Sequence, residues 1–367
     1  MGGVLNRIKG VKPMTTVGPD EPADAALMAR ICWYYFKEGQ TQEAIAQRLA
    51  ITRKRVNQIL GEARQSGFVQ ISIAGDRGPC TELEVALTAT FGLRRAIVVP
   101  SPLPGSDVRP FVGAAAGQYV STQLPQGGSL GISWGGTINA AAQNLKARKD
   151  MDNRVVLLCG GLAESTLINP YDNAAMMARA LDATCYYLTA PMYAESRALR
   201  DALVASEPVR SVLAMVPALN MALLSAIDLS RQSKPLEYGV IIRETWASLR
   251  EAGAVGDICG HYLDAQGKPV DHPLTSLVVN PPLDDLKRIP ELVLAAGGLQ
   301  KIAIIRAAIH AKLCHVLITD EATAAALMKS LRHLSGSVDR PCKHRMNADG
   351  RMACLIFAPL CSREGVI

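Results

Sequence analysis

A dense group of hydrogen-bond donors lies near the amino end of the sequence, within one short helical pattern. The group consists of Arg53, Lys54, Arg55, Asn57 and Gln58. Guanidinium and amide groups pair with guanine and adenine edges in the major groove, and basic side chains also contact phosphates. The chemistry that these residue types offer is therefore recognition of double-stranded DNA.

A helix-turn-helix would position these donors. Thr41 and Thr52 stand where the N-cap of each helix is expected, and Ala50 and Ile51 form the turn between the helices. The predicted inward face is formed by Ile45, Leu49, Val56, Ile59, Leu60 and Ala63. The alternative is a surface hairpin with a solvated basic face. The joint pattern of caps, turn and donors favours DNA binding, and we add Thr41, Gln42 and Thr52 to the predicted contacts.

Composition limits the class of protein. A chain of 367 residues predicts two to three domains, and ten Lys and Arg against six Asp and Glu in residues 1–75 give that part a charge of +4. The nine cysteines include no CxxC pair, which favours a reducing cytoplasm over a disulfide framework. We find no signal peptide and no apolar run of ~18 residues, so no membrane partner is expected.

A glycine-rich segment in the middle of the chain has the chemistry of an oxyanion site. It lies between a predicted strand, Ser129–Ser133, and a predicted helix starting at Thr137. Glycine lets backbone N–H groups approach an anion, hydroxyls add donors, and a helix N-terminus supplies a positive dipole. The predicted phosphate ligands are Ser133, Gly135, Gly136 and Thr137. A tight strand–helix turn without a ligand is the alternative for this segment.

Two further residues could complete a sugar-phosphate site. Asp257 follows a glycine beside apolar residues, where a carboxylate could accept hydrogen bonds from hydroxyl groups, or simply serve a turn. Lys301 follows an apolar run and two glycines near a helix start, where a cation opposes the helix dipole unless an anion binds. The segments of both residues are predicted to follow strand ends, where ligands of open α/β sheets bind.

Apolar runs alternate with helical patterns beyond residue 81, which predicts a mainly parallel sheet with helices on both faces. One of these runs, Val209–Val216, is expected to contain a strand. The N-terminal helix is expected to begin near Asp24 and to bury Leu27, Ile31, Tyr34 and Tyr35. The predicted organisation is a disordered arm (1–24), a DNA-binding module (25–75) with a strand or wing at Phe68–Ile73, a linker (76–81), an effector domain (82–328) and an atypical tail (329–367).

The sequence indicates no cofactor, metal site or catalytic group. Cys342, His344, Cys354 and Cys361 match no common zinc spacing, and the six histidines form no recognisable triad. We therefore expect the large domain to bind a small molecule without catalysing a reaction.

The chain resembles the SorC/DeoR-type family of sugar-binding bacterial transcription regulators over about residues 25–328. The resemblance is carried by several separated motifs in the right order. They are Ile31-Cys-Trp-Tyr-Tyr35, Thr41-Gln-Glu-Ala-Ile45, Arg53-Lys-Arg-Val56, Gly67-Phe-Val-Gln-Ile71, Gly131-Ile-Ser-Trp-Gly-Gly-Thr137, Gly253-Ala-Val-Gly-Asp257, Ala296-Gly-Gly-Leu-Gln-Lys301 and Ile318-Thr-Asp-Glu321. Within the family the chain looks most similar to regulators of erythritol catabolism, on residues 29–38 and 113–120.

The resemblance implies a Rossmann-like, doubly wound effector domain related to sugar-phosphate isomerases and glucosamine-6-phosphate deaminases. It also implies a phosphorylated sugar or polyol as effector and a homo-oligomer, a dimer or a tetramer, on a palindromic operator. By motif, residues 133–137 would hold phosphate, Asp257 would bind hydroxyls, and Lys301 would meet the anionic or carbonyl end. The expected function is therefore a repressor without enzymatic activity. An isomerase or deaminase with an appended DNA module is the alternative, with Asp257 as its base.

Two features depart from the family pattern. Position 50 is Ala where the family usually has Gly in the turn, which affects how the second helix approaches DNA. The chain also continues beyond Met328, near where the family usually ends, and we base no function on that tail.

Overall fold

The computed structural model describes residues 21–66, 68–69, 78–103, 105–164, 166 and 168–335. Residues 1–20 of the predicted arm, most of the predicted wing after Val69, and the tail beyond Ser335 lie outside the described residues. The tail cysteines and histidine considered for zinc lie there as well. Among the described helices, none has the length and the apolar character needed to cross a membrane.

The first part of the chain is a bundle of three helices. They are α1 (Glu21–Cys32), which continues into a π-helical turn (Trp33–Lys37), α2 (Gln42–Leu49) and α3 (Arg53–Gln65). Their shared core contains Ile31, Cys32, Ile45, Ala46, Val56, Ile59, Leu60 and Ala63. The expected burial of Tyr35 is wrong: the side chain is 37% exposed, and Phe36 packs on the core instead. A π-helical turn advances the chain by fewer degrees per residue than an α-helix, so the buried face shifts by one position.

The rest of the described chain alternates strands and helices. The strands are β1 (Arg95–Val99), β2 (Ser129–Ile132), β3 (Arg154–Leu157), β4 (Thr184–Tyr186), β5 (Met221–Asp228), β6 (Gly256–Ile258), β7 (His261–Leu263), β8 (Glu291–Ala295) and β9 (Val316–Asp320). The helices are α4 (Gly78–Phe91), α5 (Arg109–Gln123), α6 (Gly136–Gln143), α7 (Pro170–Leu181), α8 (Arg197–Ala205), α9 (Glu207–Met215), α10 (Lys234–Glu237), α11 (Arg243–Glu251), α12 (Leu283–Lys287), α13 (Ile302–His310) and α14 (Glu321–Ser335).

The strands form a parallel sheet in the order β1-β9-β8-β5-β2-β3-β4. Strand β6 pairs antiparallel with the last residues of β5, and β7 pairs antiparallel with β6. Alternate residues of β5 enter two different apolar cores: Leu224 belongs to one and Leu223 to the other. The predicted doubly wound α/β class is therefore confirmed, because helices cover both faces of the sheet.

The order of the strands defines a switch point. From β2 the chain proceeds outward to β3 and β4, and it then returns to β5 and proceeds the other way to β8 and β9. Ligands of doubly wound sheets bind in the crevice beyond the carboxyl ends of the strands at such a reversal. The residues that follow β2 and those that end β5 therefore occupy the favoured position for a ligand.

The predicted strand within Val209–Val216 is wrong, because this segment is helical in α9 and in the short 3₁₀ turn that follows. Glu207 and Pro208 start the helix, and Val209, Val212 and Val216 follow the three- and four-residue spacing of a helix, which the apolar content of the run obscured. The sequence analysis missed β5, in which all eight residues are buried. An apolar run without alternation does not distinguish a central strand from a buried helix.

Candidate nucleic-acid interface and ligand site

Both helices of the predicted helix-turn-helix are capped as expected. The Oγ1 atom of Thr41 accepts a hydrogen bond from the Ala44 backbone N–H at 3.2 Å, and Thr52 Oγ1 accepts one from Arg55 N–H at the same distance. Each threonine thereby satisfies one of the backbone donors that a helix leaves unpaired at its start. The two caps fix where α2 and α3 begin.

The predicted DNA contacts form a single surface, which we call the α3 surface. It comprises Thr41, Gln42, Thr52, Arg53, Lys54, Arg55, Asn57 and Gln58. Arg53, Lys54, Asn57 and Gln58 are exposed, and Gln42 and Arg55 are partly buried. Gln42 Nε2 lies 3.5 Å from Asn57 Oδ1, so the start of α2 reaches the middle of this surface.

The turn between α2 and α3 requires an unusual backbone conformation. Ala50 has φ of 50° and ψ of 41°, which is the left-handed region that glycine occupies at little cost. Its N–H approaches the carbonyl oxygens of Ala46 and Gln47, which closes the end of α2. The alanine therefore preserves the turn expected of the family and carries local strain.

The second candidate site begins at the loop that joins β2 to α6. Gly135 has φ of 114°, a value that side-chain-bearing residues rarely adopt, and it directly precedes the first residue of α6. The first N–H groups of a helix have no partner inside the helix, so those at Gly136 and Thr137 are available to an anion. Thr137 is only 2% exposed, and its hydroxyl makes no hydrogen bond with any described residue.

Ser133 has a different role from the other predicted phosphate ligands. It is fully buried, and its Oγ accepts a hydrogen bond from the Ser225 N–H at 3.0 Å. The Ser225 hydroxyl in turn donates to the Trp134 carbonyl oxygen. Ser133 therefore fastens the loop to β5 and holds the start of α6 in place.

Charged side chains from three other segments gather at this loop. The Arg109 guanidinium lies over Gly136. A Cβ built on that glycine would be only 2.5 Å from Arg109 Nη1. Lys301 ends the short 3₁₀ turn (Leu299–Lys301) that follows β8, and Asp228 ends β5. Together with Gly135 and Thr137 they form what we call the switch-point crevice.

Electrostatics links these groups. Burial lowers the pKa of the Lys301 ammonium below its ordinary value; attraction by Asp228 opposes that shift and repulsion by Arg109 adds to it. The ammonium makes no hydrogen bond or ion pair with any residue that the structure describes. A partly desolvated cation beside a helix N-terminus is unfavourable by itself and favourable beside a bound anion.

Asp257 is fully buried in a separate cluster with Trp134, Cys159 and Tyr262, and the partly buried Tyr193 lies close to it. Trp134 Nε1 donates to Asp257 Oδ1 at 3.3 Å, while Oδ2 has no hydrogen-bond partner among the residues that the structure describes. Burial raises the pKa of the carboxyl to about 7, although the Gly260 backbone N–H and the Trp134 hydrogen bond oppose the shift. Buried polar atoms are almost always paired, so an unpaired Oδ2 is an acceptor suited to a ligand hydroxyl.

The structure groups the predicted ligand residues in two places. Lys301 joins the loop after β2, whereas the carboxylates that act on its pKa are Asp228 and Asp107, not Asp257. The prediction that the Asp257 segment follows the end of a parallel strand is wrong, because Asp257 lies within β6, which pairs antiparallel with the end of β5. The two places are connected through Trp134, which belongs to the loop and contacts Asp257.

The sequence analysis missed Asp107, Arg109 and Asp228. Asp107 and Arg109 form a short Asp-x-Arg segment before α5, with no glycine signature. Asp228 ends the strand that was not predicted. A carboxylate directly after an apolar run was the one available signal for Asp228.

Comparison with known proteins assigns both parts of the chain. Residues 77–329 match the family described as "Putative sugar-binding domain", and residues 30–66 match "Sigma-70, region 4". The transcriptional regulator LsrR of Klebsiella pneumoniae is 32% identical over 83% of this chain and 94% of its own length. The erythritol catabolism regulatory protein EryD of Brucella abortus is 29% identical over 83% of this chain and 97% of its own length.

A solved structure covers the same extent. The full-length sorbitol operon regulator SorC from Klebsiella pneumoniae superposes with a TM-score of 0.64 at 24% identity, over 83% of this chain and 99% of its own. At this identity the likeness concerns the fold alone.

Proposed function

The chain belongs to the SorC/DeoR-type family of sugar-binding transcription regulators, and from this premise we propose that it is a repressor of a sugar or polyol catabolic operon. The observation that carries the proposal is the union, in one chain, of a capped helix with an exposed basic surface and a crevice that presents unpaired cation and hydroxyl groups. We assign DNA binding to residues 25–75 and effector binding to residues 82–328.

The proposed effector is a phosphorylated sugar or polyol. Its phosphate would bind the N–H groups at Gly136 and Thr137 and the Lys301 ammonium, and its hydroxyls would reach carboxylate acceptors such as Asp257 Oδ2. The relative that regulates erythritol catabolism makes a phosphorylated erythritol one candidate. In this proposal the effector binds the large domain and the α3 surface contacts DNA, so sensing and DNA binding are assigned to different parts of the chain.

The proposed control acts through oligomer geometry. In a dimer or tetramer, two copies of α3 would contact half-sites about one helical turn, ~34 Å, apart on a palindromic operator. A rotation of the effector domains upon ligand binding would change that spacing and prevent both helices from binding together. We place the protein in the cytoplasm, where operator DNA and phosphorylated sugars are both present.

The first experiment measures binding to DNA. The purified chain is titrated with its own upstream intergenic DNA at stated salt, with and without a panel of phosphorylated sugars and polyols. We expect sequence-selective binding that one compound shifts in the native chain and not in Lys301→Ala. Binding no tighter than to random DNA would contradict the proposal.

A pair of arginine variants tests the α3 surface. Arg53→Ala is expected to weaken operator binding by roughly 1–3 kcal/mol if the side chain contacts a base, with relaxed specificity at that base. A phosphate contact would instead weaken all sequences alike and reduce the salt dependence. Arg179→Ala, an exposed arginine on α7, is the matched control and is expected to leave binding unchanged.

The isomerase or deaminase alternative has one observation in its favour. A carboxyl with a pKa of about 7 is suited to act as a general base, and Asp257 has that property. The relatives named above are regulators, which is consistent with binding without turnover. Steady-state consumption of the effector, lost in Asp257→Asn, would move the assignment to an enzyme.

A further inference from the structure

Arg109 lies in the switch-point crevice, but the sequence analysis did not identify it and the proposed function gives it no role. It belongs to the first turn of α5, and its side chain is 27% exposed. It nevertheless reaches across to the start of α6, where its Nη1 lies over Gly136. A residue larger than glycine at position 136 would collide with it, so the two positions are fitted to each other.

Asp107 determines how the guanidinium is oriented. Both carboxylate oxygens accept hydrogen bonds from Arg109 Nε at 2.9 Å, and Nη2 forms an ion pair with Oδ2 at 2.7 Å. The Arg109 backbone N–H also donates to Asp107 Oδ1 at 3.0 Å. These contacts occupy one edge of the planar fork and leave Nη1 directed at the helix N-terminus. The fork is thus held in place before any ligand arrives, which reduces the entropic cost of binding.

The other groups around Nη1 also lack partners. The Thr137 hydroxyl and the Lys301 ammonium make no hydrogen bond with described residues, and the first N–H groups of α6 point toward the same region. Two cations that repel each other are therefore held near one helix N-terminus. An anion with several oxygens would bridge these donors and relieve the repulsion.

We propose, building on the proposed function, that Arg109 is a second cationic ligand for the effector's phosphate, and that Asp107 is the positioning residue that presents it. Arg109 Nη1 and Lys301 Nζ bind different oxygens of the phosphate, while the start of α6 binds the remainder. Asp228, on the adjacent strand, repels anionic oxygens and accepts hydroxyl groups. The crevice thereby selects a phosphate that carries a neighbouring hydroxyl over a simple carboxylate.

The experiment uses inorganic phosphate as the probe and the full chain as the protein, with binding measured by calorimetry at constant ionic strength. Hydrogen bonds to charged groups contribute enough that Arg109→Gln should bind phosphate roughly ten- to a hundredfold more weakly. Arg109→Lys keeps the charge without the fork and should be intermediate. Arg154→Gln, at the amino end of β3 and away from the carboxyl ends of the strands, is the matched control and should equal the native chain.

Asp107→Asn tests the positioning role. It leaves Arg109 present but less firmly oriented, so the phosphate affinity should fall severalfold, and Asp107→Asn should add little to the loss that Arg109→Gln already causes in the double variant. Additive losses in the double variant would show that Asp107 does not act through Arg109.

The outcomes separate this inference from the proposed function. Phosphate binding that is equal in Arg109→Gln and the native chain, or absent from both, overturns the inference. If the native chain and Arg109→Gln release operator DNA at the same concentration of one phosphorylated compound, the inference fails and the proposed function stands. If no phosphorylated compound acts on the native chain, the proposed effector class fails.

Discussion

The α3 surface and the switch-point crevice are both proposed binding sites, but they are built in opposite ways. Every residue of the α3 surface lies between positions 41 and 58, on two consecutive capped helices and the turn that joins them. The crevice takes its groups from the start of α5, the loop after β2, the end of β5 and the turn after β8. The difference shows why local periodicity describes one site almost completely and the other only in part.

The strongest test of this comparison replaces one glycine in the helix next to the crevice and one glycine in α3. Gly113 on α5 packs against α6, and a Cβ there would lie 2.4 Å from Ala140 Cβ and 2.8 Å from the Ala140 carbonyl carbon. Gly113→Val should therefore lower the free energy of unfolding by roughly 3 kcal/mol and disturb the crevice, because the clash is with backbone. Urea unfolding and phosphate binding measure the two effects.

Gly61 provides the matched control, since it is also helical but has no atom within 4 Å of a built Cβ. Gly61→Ala should raise the free energy of unfolding by up to about 1 kcal/mol, through helix propensity and reduced freedom of the unfolded chain. Equal destabilisation by both substitutions would contradict the view that only the crevice depends on tertiary packing.

A pH-dependent effect is expected at Asp257, where the sign follows from the raised pKa of the buried carboxyl. The folded chain holds the proton up to about pH 7, whereas the unfolded chain loses it near the ordinary value of 3.8. Between these values the unfolded state binds fewer protons, so stability falls as pH rises, by ~1.4 kcal/mol per pH unit at most. Asp257→Asn removes this dependence.

The measurement compares urea unfolding of Asp257→Asn and the native chain at several pH values. The two should be similarly stable near pH 4, and the variant should become the more stable one as pH approaches 8. Parallel pH profiles would show that burial of the Asp257 carboxyl does not lower the stability as pH rises. The α3 surface supplies the contrast, because no comparable buried acid is found among its residues.

The smallest effect concerns the turn of the helix-turn-helix. Ala50→Gly should stabilise the three-helix bundle by up to about 1 kcal/mol, because glycine adopts a φ of 50° without the strain that a Cβ adds, although its unfolded state is freer. Thermal unfolding followed by circular dichroism measures the shift, and operator affinity should change little. A loss of stability would indicate that Ala50 makes packing contacts that outweigh the strain.

Most of the elements could be predicted from sequence, because glycines, prolines and caps mark where each begins and ends. The helix-turn-helix, strand β2 and the loop after it follow from such signals. Strand β5 could not be predicted, since a fully buried central strand has no alternation of polar and apolar residues. With β5 missing, Asp228 had no position in the site.

The sequence by itself determined the α3 surface, because a capped helix fixes the direction of each side chain through its own backbone hydrogen bonds. It also identified the family, through motifs that survive as short runs. Only the tertiary structure decided which carboxylate faces Lys301 and which cation accompanies it, because those neighbours depend on the order of strands in the sheet. Asp228 and Arg109 interact electrostatically with Lys301, while Asp257 is hydrogen-bonded to Trp134. Long-range packing sets such distances, and no local pattern records them.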